Sequence, residues 1–237
     1  MALNYAGVAA ALSAERLGPY LRRANGNQFE ALMLYQRNVV LSESLYATLQ
    51  LVEVTFRNNF EQHLKTVYGA TWFDDLTFQG HLKTNDLNSV RKAKNKLDDA
   101  NLKRRRKNRA AAIKPITSGA IVAEMNFGFW TGLISNAYTG RFFGPAASTL
   151  FPNEPLTPAG KTQTDLEKAV NPMLRNVRHL RNRVFHHEPI LHDANLWDAY
   201  NAAIRLLEWM NPSVLDWSKR IQLDRFPSIY QVFHGPK

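Results

Sequence analysis

A long series of apolar residues at helical spacing dominates the first third of the chain. Between positions 29 and 68, large apolar side chains recur every three or four residues, at Leu45, Leu49, Val52, Phe56, Phe60 and Leu64. This spacing puts them on one face of an α-helix, whereas a half-buried strand would need strict alternation. The sequence therefore predicts one long core helix from about Phe29 to Tyr68.

Helical patterns continue along the rest of the chain. Ser13 is placed to cap an early helix, and one buried helix is predicted over 118–135. A further helix is expected from about 161 to 188, where Pro189 ends it, and another over 194–210. No period-two pattern persists, so the predicted fold class is all-α.

The 237 residues, of which 45% are hydrophobic, suit one substantial core. We predict a single domain over 1–237, with a basic helical or loop insertion at about 91–114 and a C-terminal tail at about 222–237. The stretches 68–80 and 140–160 are predicted to be a loop and a connector, because Gly, Pro and Asp interrupt the helical pattern there.

The chain contains no cysteine. This excludes a disulfide framework, a thiolate zinc site and a cysteine nucleophile, and it fits a reducing compartment. The N-terminus has no basic region followed by a cleavage site, and no run of 18 apolar residues occurs. We expect a cytoplasmic protein without a membrane partner.

Positive charge is concentrated in one segment. Arg91 to Lys114 contains eleven Lys or Arg and two Asp, so 11 − 2 = +9 of the net charge of +10 lies there. Such a cluster attracts a polyanion, which could be nucleic acid, an anionic membrane surface or an acidic protein. A solvated helix or basic loop without a ligand is the alternative.

The stretch RNRVFHHEPI, residues 181–190, concentrates titratable side chains at the predicted end of a helix. Asn182 and His186 are four residues apart and share a helix face, and the long side chain of Arg181 can reach the same place. Arg183 and His187 are predicted to form a second such pair on a neighbouring face. Geometry thus favours His186 as the partner of Arg181 and Asn182.

These residue types suit chemistry at a phosphate. Histidine exchanges a proton near neutral pH, arginine presents a planar cationic fork to phosphate oxygens, and asparagine can orient either group. Metal binding by His186, His187, Glu188 and His192 is disfavoured, because adjacent histidines diverge by about 100° on a helix and no HExxH spacing occurs.

LRNRVFHHEPI resembles the Arg-(Asn/His)-x3–5-His motif of the HEPN ribonuclease superfamily, and in particular the Abi-like proteins of phage abortive infection. Three further stretches resemble that family in the same order: LYQRNVVLSESLYATLQLVEVTFRN (34–58), VAEMNFGFWTGLIS (122–135) and LLEWMNPS (206–213). The resemblance implies an all-helical HEPN fold and cleavage of RNA by its 2′-hydroxyl, without metal or cofactor.

The same resemblance implies roles for individual residues. Arg181, Asn182 and His186 would be catalytic, with support from Arg183, His187 and Glu188. It also implies a homodimer with a composite site, a toxin role in phage defence, and control by an antitoxin protein or an inhibitory non-coding RNA. Separately from the resemblance, the charge of the basic segment predicts RNA contacts at Lys103, Arg104, Arg105, Arg106, Lys107 and Arg109. The alternative is a non-catalytic HEPN module that binds RNA or a partner.

Overall fold

The computed structural model describes residues 4–110, 112–138, 140–221 and 225–235. These residues form twelve α-helices and no strand, which confirms the all-α prediction. The helices are α1 (Tyr5–Leu12), α2 (Ala14–Arg23), α3 (Gln28–Tyr68), α4 (Leu76–His81), α5 (Thr84–Lys107), α6 (Ser118–Glu124), α7 (Phe127–Leu133), α8 (Phe143–Leu150), α9 (Gln163–Phe185), α10 (Leu196–Met210), α11 (Pro212–Arg220) and α12 (Phe226–His234).

The chain divides into two compact units. The first unit comprises Met1–Leu51, Asn176–Arg205 and Ser213–Lys237, and the second comprises Val52–Arg175 and Leu206–Pro212. The four boundaries fall within α3, α9, α10 and α11. The single domain expected over 1–237 stays a prediction.

Helix α3 agrees closely with its prediction. All six apolar residues at helical spacing are buried, and Leu45, Phe56 and Leu64 have no exposed surface. Ser13 caps α2 as expected, since its hydroxyl accepts from the N–H of Arg16 at 3.3 Å. Periodicity and capping chemistry were sufficient to predict these two elements.

Helix α3 is also long and apolar enough to cross a membrane, by length and composition alone. The core helix of a globular protein meets the same criterion, and just under half of the apolar stretch is buried inside the structure.

Aromatic rings fill the core of the second unit. Trp72 packs edge-on against Phe78 and Trp130, with ring centroids 5.2 and 5.9 Å away. Its indole N–H donates to the hydroxyl of Ser118 at 2.5 Å, which satisfies the polar end of a fully buried ring. Phe60 of α3 joins this cluster through Trp130 at 5.7 Å.

The helix predicted over 118–135 is two helices. Helix α6 ends at Glu124 and α7 begins at Phe127, after an extended Met125 and Asn126. The side chain of Asn126 accepts from the N–H of Phe129 at 2.9 Å. This cap starts a new helix where the apolar pattern alone predicted continuity.

Three regions predicted to be irregular contain helices. The loop 68–80 includes a 3-10 turn at Trp72–Asp74 and α4, which Asp75 caps by accepting from the N–H of Phe78 at 2.7 Å. The connector 140–160 includes α8, and the predicted tail includes α12. The glycines and prolines inside these helices lie in first or last turns, where they are tolerated: Gly80 in α4, Gly144 and Pro145 in α8, and Pro227 in α12.

Candidate functional site

The motif lies where α9 ends. The helix stops at Phe185, earlier than the predicted end at Glu188. The N–H of His187 donates to the Val184 carbonyl at 3.1 Å, and that of Glu188 donates to the Arg183 carbonyl at 2.8 Å. This pair of bonds is the Schellman pattern, and it puts His187 at the left-handed position with φ +58°.

The early end of α9 separates the two histidines. His186 keeps the helical bond, since its N–H donates to the Asn182 carbonyl at 2.9 Å. His187 has left the helix, so the predicted i, i+4 pair with Arg183 is wrong. Both imidazoles are exposed. Within the described part of the chain, none of their four ring nitrogens has a hydrogen-bond partner. The two side chains therefore leave the turn from different backbone conformations.

Arg16 of α2 caps the end of α9. Its Nη1 donates to the carbonyl oxygens of His186 at 3.3 Å and His187 at 2.5 Å. These carbonyls have no helical partner, and they carry the partial negative charge of the helix C-terminus. A cation from another helix therefore provides hydrogen bonds to the free carbonyl groups of the turn, and both imidazoles remain exposed.

Arg183 holds the chain that follows the turn. It forms an ion pair with Asp193, donates to the Pro189 carbonyl, and lies 3.7 Å from a carboxylate oxygen of Glu188. Its guanidinium is thus committed to residues of its own loop. The structure gives Arg183 a positioning role, and the supporting role of Arg183 and Glu188 in the chemistry stays a prediction.

Asn38 of α3 fastens the same loop and was not identified from the sequence. The residue is only 3% exposed. Its Oδ1 accepts from the N–H groups of Ile190 at 2.6 Å and Leu191 at 3.0 Å, and its Nδ2 donates to the Glu188 carbonyl at 3.3 Å. An asparagine on a mostly apolar helix was the available signal, because a buried amide must find partners.

Arg181 is held against an aromatic ring. Its guanidinium carbon lies 4.5 Å from the centroid of Phe185, and its Nη1 is 3.4 Å from Oδ1 of Asn182. Burial lowers the pKa of Arg181, and the nearby Tyr46 partly offsets this effect. An arginine keeps its charge near neutral pH, so the turn presents an oriented cation beside an exposed Asn182.

A groove of about 270 Å³ adjoins the turn, between α3 and the end of α9 within the first unit. The rings of Tyr46 and Phe185 stack at its side, with centroids 4.9 Å apart and planes 20° apart. The Ser42 hydroxyl is buried and has no hydrogen-bond partner in the described part of the chain. The groove is thus apolar with a few polar groups, as ligand sites commonly are.

The basic segment is not uniformly available to a ligand. Arg104 turns back to donate to Asn101 at 3.3 Å and to the Ala112 carbonyl at 2.6 Å, so it closes the loop after α5. The other five predicted contacts are exposed and form no ion pair within the described residues: Lys103, Arg105, Arg106, Lys107 and Arg109. The segment belongs to the second unit and the motif to the first.

No three His, Asp or Glu side chains among the described residues lie close enough together to hold a metal ion. The alternative reading of His186, His187, Glu188 and His192 as ligands thus gains no support from their positions.

Comparison of the chain with models of known protein families, with curated proteins and with solved structures found no match.

Proposed function

We propose that this chain is a metal-independent endoribonuclease of the HEPN type. One observation carries the proposal: Arg181, Asn182 and the exposed His186 lie within little more than one helical turn, at a helix end that Arg16 holds in place. A cation, an amide and a group able to exchange protons can each assist phosphodiester cleavage.

The proposed reaction is attack of a ribose 2′-hydroxyl on the adjacent phosphorus. A base removes the 2′-hydroxyl proton, the new bond from 2′-oxygen to phosphorus forms, and the bond from phosphorus to 5′-oxygen breaks. An acid then delivers a proton to the leaving 5′-oxygen. The products are a 2′,3′-cyclic phosphate and a 5′-hydroxyl, and neither an oxidant nor a co-substrate is needed.

His186 takes a proton role in this scheme, because imidazole gives and accepts protons near neutral pH. Arg181 stabilises the negative charge that develops on the phosphorane, since its guanidinium is already oriented by the ring of Phe185. Asn182 holds a phosphate oxygen or the imidazole. Removal of His186 would slow the proton-transfer step.

One copy of the motif has one histidine, His186, on the helical turn that follows Arg181 and Asn182, whereas the reaction has two proton roles. We therefore propose a homodimer in which two such turns face a shared cleft, so that one copy supplies the base and the other the acid. The five exposed cations of the basic segment would hold the RNA strand by its phosphates. The biological role proposed with this activity is a toxin of abortive infection, restrained by an antitoxin protein or a non-coding RNA.

One observation favours a non-catalytic module instead. A catalytic histidine is usually oriented by a hydrogen bond to its second ring nitrogen, and His186 has none within the described part of the chain. In that alternative the same cluster would bind a phosphodiester without cleaving it.

The deciding experiment is incubation of the purified protein with a defined single-stranded RNA in excess EDTA, followed by analysis of the fragment ends. Cyclic phosphate and 5′-hydroxyl ends support the proposal. An RNA with a single 2′-deoxy nucleotide at the cleaved position is the control, and it should stay intact there. Binding without cleavage would favour the alternative module, and activity that needs added Mg²⁺ would contradict the mechanism.

A further inference from the structure

The groove beside the turn has aromatic walls next to the residues proposed to hold a phosphate. Tyr35, Tyr46 and Phe185 line it, together with Ser42, Glu43 and His187. Phe185 also carries the guanidinium of Arg181 at 4.5 Å. Phe185 therefore connects the groove with Arg181, because the same ring lines the groove and contacts the guanidinium proposed to hold a phosphate.

Tyr46 is suited to receive a flat ligand. Its side chain is 49% exposed although its ring already stacks on Phe185. A ring supported in this way keeps its orientation while surface remains open to a further ring. Bases of single strands bind proteins by stacking on such side chains, regardless of sequence.

The Glu43 carboxylate in the lining of the groove suits the pairing edge of an unpaired base. Ser42 lies four residues before Tyr46 on the same face of α3, and its buried hydroxyl has no partner among the described residues. Glu43 is paired with Arg225 at 2.8 Å, but both side chains are more than half exposed, so this pair is weak. A carboxylate accepts from the N–H groups that every base has on its pairing edge.

We propose that this groove is a subsite for one unpaired nucleobase, stacked on Tyr46, in the strand whose phosphate Arg181 holds. The inference rests on the proposed function in taking RNA as the ligand, and it adds the substrate class. A base in a duplex has its pairing edge occupied and cannot enter the groove. The subsite therefore selects single-stranded or looped RNA.

The test uses a strand that cannot be cut, so that binding is measured apart from catalysis. A fluorescently labelled, single-stranded 2′-O-methyl oligoribonucleotide is titrated with the full chain at fixed low salt, and anisotropy gives Kd. We expect Tyr46→Ala to weaken binding roughly 5- to 150-fold, the loss of one stacked base. Tyr46→Phe should bind like wild type, and the blunt duplex of the same strand should bind more weakly and be insensitive to Tyr46→Ala.

Trp217→Ala is the matched control, because Trp217 is an aromatic residue of the same unit with 50% exposure. Its binding should equal that of wild type. The proposal is overturned if Tyr46→Ala binds normally, if both alanine variants weaken alike, or if wild type fails to bind the strand. Sedimentation of each variant completes the test, since a Tyr46→Ala chain that loses binding by falling from dimer to monomer would assign the groove to a second copy.

Failure of the proposed function gives a different result. If binding depends on Tyr46 but natural RNA is not cut, the proposed ribonuclease activity is contradicted and the proposed base subsite is supported. If Tyr46→Ala binds and cleaves RNA like wild type, the proposed base subsite is contradicted and the proposed ribonuclease activity is supported.

Discussion

Arg16 donates from Nη1 to the carbonyl oxygen of His187 at 2.5 Å, although the two residues are 171 positions apart in the sequence. The contact joins the second helix of the chain to the turn that carries the motif. It supplies a cation where the helix C-terminus has unpaired carbonyls. The shape of the candidate site therefore depends on a residue outside the motif.

Arg16→Gln should lower the free energy of unfolding by roughly 0.5–2 kcal/mol, because the end of α9 loses its cation. It should also reduce cleavage, since the turn is less well held. Arg22→Gln, an exposed change on the same helix, should stay within about 0.5 kcal/mol of wild type. Urea unfolding followed by circular dichroism measures both, and equal losses for the two variants would contradict the capping role.

Replacement of His186 should reduce the cleavage rate much more than replacement of His187. His186→Ala is expected to reduce the rate by about 10² to 10⁴ with the fold intact, because a proton-transfer group is removed. At His187 the matched change is glycine, since φ there is +58° and alanine would keep the backbone strain.

His187→Gly should retain most of the activity and should not be less stable than wild type, because a left-handed L-residue costs roughly 1–2 kcal/mol. Single-turnover cleavage and thermal unfolding of both variants provide the comparison. A larger rate loss for His187→Gly than for His186→Ala would show that His187 is the working histidine.

Asn38→Ala should destabilise the chain by on the order of 2–4 kcal/mol, because the N–H groups of Ile190 and Leu191 are left buried without an acceptor. Asn59→Ala is the control and should cost about 1 kcal/mol, since among the described residues the Asn59 side chain makes one hydrogen bond, to the Leu150 carbonyl at 3.0 Å. Urea unfolding distinguishes the two. Similar costs would mean that the loop finds other partners.

The exposed cations of the basic segment should act on binding and not on catalysis. Neutralising Lys103, Arg105 and Lys107 together should flatten the slope of log affinity against log salt by about two, at roughly 0.7 for each phosphate contact. Arg104→Gln should instead open the loop that reaches Ala112 and reduce stability, with a smaller effect on the slope. An unchanged slope in the triple variant would exclude this segment from the RNA contacts.

His63 gives the second unit a pH dependence. Burial lowers the pKa of this residue below its ordinary value of 6.5. Below about pH 6.5 the unfolded chain therefore binds a proton that the folded chain does not, so the free energy of unfolding decreases as the pH falls through this range. His63→Gln should show a flatter pH profile, measured by urea unfolding between about pH 7.5 and 5.5. Parallel profiles would contradict this assignment.

Local chemistry made much of the fold predictable. The buried face from Leu45 to Leu64 could be identified because helical periodicity depends only on residues that are close together in the sequence. The break at Asn126 was missed for a related reason, since a capping asparagine inside an apolar run looks like an ordinary polar substitution until its side chain is seen to accept from Phe129. A capping residue predicts that a new helix starts, whereas apolar periodicity predicts that one helix continues. The sequence alone does not show which of these two signals prevails.

The candidate site was predictable only in part. Arg181, Asn182 and His186 lie within six consecutive positions of the sequence, so helical geometry alone could group them. The contributions of Arg16 and Asn38 depend on partners at least 150 residues away, which no local pattern encodes. The same is true of Tyr46, whose stacking on Phe185 follows from tertiary packing.

The ties from Arg16 and Asn38 to residues 186–191 also set the order in which the turn can be completed during protein synthesis. Each anchor is translated before the residues that it holds, with at least 150 positions between them. A nascent chain that stops before Leu191 therefore carries the anchors without a turn to fasten. For a chain proposed to cut RNA, this delay keeps the cutting site unassembled beside the ribosome that is making it.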